Sequence, residues 1–175
     1  MDRIQRTATI LQPLLAIFTL FYIWKTAGGT LDYALLSPDR WQNDYWAHPD
    51  AQIALITRYV YLAVWLTPIA FGLLAVGTAT SMMGLVQRGV LFDTRIANRF
   101  RLIGCATAAS GAADLVANFL NPMIISWHNP DGPLPPTFYF NSESAGLILC
   151  GGGFYLVGWI MREAIAIARD NEGFV

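Results

Sequence analysis

Between two long apolar runs lies a short basic stretch, Gly84 to Gly104, reading GLVQRGVLFDTRIANRFRLIG. Four of the chain's 11 Lys and Arg residues, Arg88, Arg95, Arg99 and Arg101, fall inside it. Positive charge gathered in a brief connection between hydrophobic spans stays on the cytoplasmic face of a membrane. The feature therefore sends both flanking runs across a bilayer and returns the chain on one side. Asp93 reads as an N-cap with Thr94 opening a helix, because Ile96, Ala97, Phe100 and Ile103 recur at helical spacing. That helix is expected to run straight into the next span.

Composition removes the soluble alternative. Of 175 residues 55% are hydrophobic and 13% charged, against roughly a quarter charged in a soluble domain. The fold class expected is all-α, a polytopic membrane protein with four transmembrane helices in one bundle. A single membrane domain, 1–175, has spans at about 8–26, 54–86, 102–127 and 143–167. Outer loops occupy 27–53 and 128–142, and a cytoplasmic hinge 87–101. A net charge of -1 offers no basic excess for nucleic acid.

Sidedness follows from the Lys and Arg count. Arg3, Arg6, the four hinge arginines, Arg162 and Arg169 fall on one side, and only Lys25, Arg40 and Arg58 on the other. Four spans with N and C termini both cytoplasmic satisfy this distribution. The first span resembles a signal peptide at its start, but Thr26-Ala27-Gly28-Gly29 is a poor cleavage site, so an uncleaved helix ending at Gly28-Gly29 is expected. Within the first outer loop Ser37-Pro38-Asp39 has the order of a helix start. Trp41 and Trp46 there, beside Asp39 and Asp44, suit a membrane–water boundary or a partner contact. The second outer loop carries no Lys or Arg, and Asn129-Pro130-Asp131-Gly132 signals a turn.

Candidate chemistry is sparse. Asp114 stands near the middle of the third span, where a carboxylate is disfavoured by about 2.5 to 3.5 kcal/mol on insertion scales and must face the bundle. Ser110, Asp114, Asn118 and Asn121 form one polar stripe at helical spacing, read as an interhelical clamp, as a ligand site or as a proton-transfer group. Thr78, Thr80, Ser81 and Tyr155 are the expected partners across the bundle. Arg88, Arg95, Arg99 and Arg101 are expected to contact anionic lipid or a docking protein. The two histidines, His48 and His128, both on the outer side, are weak metal candidates with Asp50 or Asp131, and no metal or other cofactor is expected. Cys105 and Cys150 lie at different distances from the hinge, so a disulfide is not expected. No Ser-His-Asp or Cys-His set can be assembled at one depth, so no catalysis is expected.

Three pieces of the sequence together resemble a known family. They are Arg88-Gly89-x-x-Phe92-Asp93, then Asn98-Arg99-x-Arg101-Leu102-x-x-Gly104, and a tail from Arg162-Glu163 to Asp170-Asn171-Glu172-Gly173-Phe174-Val175. With four spans of these proportions, the chain from about Leu11 to Val175 resembles the bacterial family named domain of unknown function 2975. The resemblance implies a four-helix protein of the bacterial cytoplasmic (inner) membrane and supplies no activity. The role expected is non-catalytic, an accessory or regulatory subunit contacting membrane lipids and a membrane-protein partner or a second copy. The alternative is a small-molecule binder or transporter with its polar site around Asp114.

Overall fold

The computed structural model describes residues 3–37, 39–51 and 53–172. Its secondary structure, among these residues, is helical throughout. Helix α1 (Arg3–Tyr22) continues through a π-helical turn (Ile23–Ala27), α2 (Gly28–Leu31) and a second π-helical turn (Asp32–Leu36). A short α3 (Asp39–Gln42) precedes three long helices, α4 (Leu55–Gln87), α5 (Thr94–Ile125) and α6 (Ser142–Glu172). Four stretches are long and apolar enough to cross a membrane: Ile4–Leu36, Leu55–Gln87, Thr94–Ile125 and Ser142–Asp170. The tail residues Gly173 to Val175 and Pro38 lie outside the described residues.

The first helix does not stop at Gly28-Gly29. Both glycines keep right-handed helical surroundings, with Gly28 at φ -61° and ψ -44°. Nothing stands within 4 Å of a Cβ built at either one. Glycine permits an end but does not impose one, and without a following proline or a left-handed residue the helix continues, here through two widened turns. The widened turns on either side are steadied by Thr26 Oγ1 donating to the Tyr22 carbonyl and Thr30 Oγ1 donating to that of Thr26 at 2.9 Å. The helix ends instead before Pro38, at Leu36.

At the opposite end of the bundle the hinge folds as its sequence reads. Gly89 takes a positive φ of 78°, a conformation that suits glycine at a helix C-terminus. Asp93 caps α5, accepting from the Arg95 amide at 2.7 Å.

The tightest seam joins α5 to α6. A Cβ placed on Gly104 would lie 2.6 Å from the Gly151 carbonyl oxygen, and one on Gly151 2.5 Å from the Ala108 nitrogen. Gly111 meets the Ser144 carbonyl at 2.6 Å, and Gly158 meets that of Ala97 at 2.7 Å. Ala97, Gly104 and Gly111 recur every seven residues on α5, as do Ser144, Gly151 and Gly158 on α6. The two helices are antiparallel with their small residues facing, so the backbones touch. Of Gly151-Gly152-Gly153 only the first faces α5; the other two meet nothing within 4 Å.

This register sets Cys105 and Cys150 at one level, which corrects the depth assigned from their distances to the hinge. Each is one residue, about 100° of rotation, away from the glycine seam, and both are free and exposed. By comparison α1 packs loosely, mainly on α4, and is the least buried of the four long helices, while α5 is the most buried.

Candidate functional site

The Asp114 carboxylate is held by the beginning of α6. Its Oδ2 accepts from the Ser144 hydroxyl, from Asn118 Nδ2 at 3.1 Å and from Asn141 Nδ2 at 3.2 Å. Asn141 in turn is the N-cap of α6, its Oδ1 accepting from the Ser144 amide at 2.6 Å. Asp114 therefore sits beside the positive end of a helix dipole, not midway along α6. The partners expected for Asp114 are thus corrected. Thr78 and Thr80 donate to the carbonyls of Leu74 and Val76 on their own helix, and Tyr155 Oη accepts from Arg101 at 3.1 Å. Tyr155 is eleven residues beyond Ser144, about 16 Å along the helix, and cannot reach Asp114.

The remaining stripe residues also turn inward. Ser110 is buried and donates to the Pro68 carbonyl at 2.8 Å, and Asn121 Oδ1 accepts from Trp65 Nε1 at 3.3 Å. Both tie α5 to α4 across the bundle. A cavity of about 330 Å³ opens beside Asp114, lined by Tyr22, Thr26, Thr30, Trp65, Pro68, Ile69, Ser110, Glu143 and Leu147 as well. Two carboxylates and an indole thus border one space. Among the described residues no Lys or Arg pairs with Asp114, and no protein donor reaches its Oδ1. Glu143 was not singled out in the sequence, where it reads as an ordinary first-turn acid of α6.

The aromatic first loop is folded, and Trp41 is its core. The Trp41 side chain is fully buried, stacked on Tyr33 at 5.4 Å and edge-on to Tyr61 at 5.0 Å. Its Nε1 donates to the Tyr33 carbonyl at 2.8 Å. That carbonyl is free because the Ser37 amide is taken by Asp32 and the next residue is a proline with no N–H. Trp41 is thus unavailable to a partner or to lipid, contrary to the expectation. Trp46 is half-buried and packs on Tyr45, and its carbonyl accepts from Asn129 Nδ2 at 3.1 Å.

Both histidines lie where the two loops meet. The His48 amide donates to Asn129 Oδ1 at 2.8 Å, and His128 Nε2 is hydrogen-bonded to Thr57 Oγ1 at 2.8 Å. His48 Nδ1 accepts from the Asp50 amide at 3.2 Å. One nitrogen of each ring is occupied in this way. No group of three or more His, Cys, Asp or Glu among the described residues could hold a metal ion.

The four hinge arginines separate into distinct environments. Arg95 pairs with Asp93 at 3.1 Å, and this guanidinium and amide hold the Asp93 carboxyl below the usual carboxylate range. Arg101 lies over the Tyr155 ring, 5.1 Å from its centroid. Arg99 donates to the Ser81 hydroxyl, and Arg88 is exposed beside it along a groove between α1 and α4. No protein-family model, curated protein or solved structure matches this chain.

Proposed function

We propose that the protein is a non-catalytic, multi-pass protein of a bacterial cytoplasmic membrane that holds a small cationic molecule in the cavity beside Asp114. Both termini and the basic hinge would be cytoplasmic, and the cavity would open near the outer surface, at the loop end of the bundle. The cavity itself carries the reading. Among the described residues Asp114 Oδ1 has no protein donor, Glu143 supplies a second carboxylate, and the Trp65 indole borders the same space, where a cation is attracted to aromatic rings. Ser110 and the threonines of the first helix already spend their hydroxyl protons on backbone carbonyls, so apart from the Tyr22 hydroxyl the wall presents acceptors and apolar surface, which suits an ammonium group more than an anion.

The test is ligand-dependent stabilisation of the detergent-solubilised chain with tetramethylammonium, choline and spermidine as probes. A ligand that binds only the folded state raises stability by about 2.7 kcal/mol at one hundred times its Kd. At least one probe is expected to raise the unfolding midpoint, and Asp114→Asn and Glu143→Gln are each expected to abolish the rise. Glu143→Gln leaves the α6 cap untouched, so its loss of response would not be an effect of misfolding. Midpoints indifferent to all three cations in the parent chain would refute the assignment.

A second reading, an accessory or regulatory subunit, is favoured by one observation. Gly146, Gly152 and Gly153 of α6 have open space where a Cβ would stand, so another membrane helix could approach that face closely. The likeness of the hinge and tail to the family named domain of unknown function 2975 agrees with either role.

A further inference from the structure

We infer that the groove between α1 and α4 is a binding site for one anionic phospholipid. The groove encloses about 740 Å³ and has charge at one end only. Arg88, just past the end of α4, and Arg99, on the second turn of α5, border it at the hinge end. Farther along, its walls are Leu20 of α1 with Leu73 and Gly77 of α4. Arg88 and Leu73 are fifteen residues apart, about 22 Å of helix. That exceeds the roughly 15 Å of hydrocarbon in one leaflet, so the groove can take an acyl chain along its length.

Charge complementarity names the occupant. Among the described residues the ion pairs made by arginine are Arg40 with Asp32 and Arg95 with Asp93. Neither involves Arg88 or Arg99. Among the described residues Arg99 bonds Ser81, and Ser81 also donates to the Thr78 carbonyl at 2.8 Å. Two guanidinium groups from different elements therefore border the hinge end of one groove with no carboxylate paired to either among the described residues, a match for a phosphodiester. Above them the polar side chains of the walls present apolar surface, because Thr19 and Thr80 bond the carbonyls of Leu15 and Val76. Gly77 and Gly84 leave open space in the groove where side chains would stand. A phosphate at the arginines and an alkyl chain over the glycines fill both parts, which a soluble anion cannot do.

Native mass spectrometry of the purified full chain, titrated with dioleoylphosphatidylglycerol or dioleoylphosphatidylcholine in detergent, tests this. The glycerol lipid is expected to be retained at about one per chain and the choline lipid not. The Arg88→Gln, Arg99→Gln double variant is expected to weaken retention roughly 10- to 30-fold. Gly77→Leu, which fills the groove and leaves both charges, is expected to weaken it as well. Arg95→Gln, whose charge is already paired, should change it less than about twofold. Equal retention of the two lipids, or an Arg95→Gln loss as large as that of the double variant, would sink the proposal. Competition by glycerol phosphate as effective as that of the whole lipid would overturn the acyl-chain part. A lipid-free dimer that dissociates on Gly77→Leu would give the groove to a second copy instead.

Discussion

Trp41 shows how one side chain can reverse the meaning of a loop. An indole among aspartates reads as a boundary residue, yet this one is fully buried, with its N–H donated to a carbonyl that has no helical partner. Trp41→Phe keeps an aromatic ring but loses the N–H donor and part of the buried bicycle. Leaving a partly buried carbonyl unpaired costs about 1 kcal/mol and the smaller ring leaves a void, so chemical unfolding in detergent should register a loss of about 1 to 3 kcal/mol. Trp46→Phe, at a half-buried position, should cost less. What hid Trp41 in the sequence is that its burial depends on Tyr61, on a different helix. The Asp114 stripe was legible because Ser110, Asp114, Asn118 and Asn121 share one helix. Its partners Asn141 and Ser144 were not, since they lie about thirty residues away and are set by how α6 slides along α5.

Among the elements, the pairing of α5 with α6 depends on small residues more than on any side-chain contact. Gly104→Ala would place a methyl 2.4 Å from the Tyr155 nitrogen, and Gly151→Ala one 2.5 Å from the Ala108 nitrogen. Backbone cannot yield as a side chain tip can, so each substitution should destabilise by about 1 to 3 kcal/mol. Gly153→Ala, with open space, should be neutral or stabilising by up to about 1 kcal/mol from helix propensity. Unfolding in increasing sodium dodecyl sulfate, followed by circular dichroism, would rank the three. The helix limits of α4, α5 and α6 fell within a few residues of the apolar runs, except that α5 and α6 extend their polar ends farther. The first helix departed most, because two glycines look like a stop and act as one only when the next residues refuse the helix.

For the whole molecule, the arrangement of four long helices puts the hinge, the start of α1 and the end of α6 at one end of the bundle and the two longer connections at the other. A cysteine at Asp131 and one at Gly89, each in a background lacking Cys105 and Cys150, should label from opposite sides of sealed membrane vesicles with an impermeant maleimide. Labelling of both from the same side would contradict four crossings. A seam repeating every seven residues has a further consequence for assembly. Shifted by one heptad, glycine would again meet glycine, and the hairpin would close almost as well two turns out of place. The carboxylate of Asp114 works against that ambiguity as a keyed notch does in a ratchet, since only one setting brings Asn141 and Ser144 within its reach.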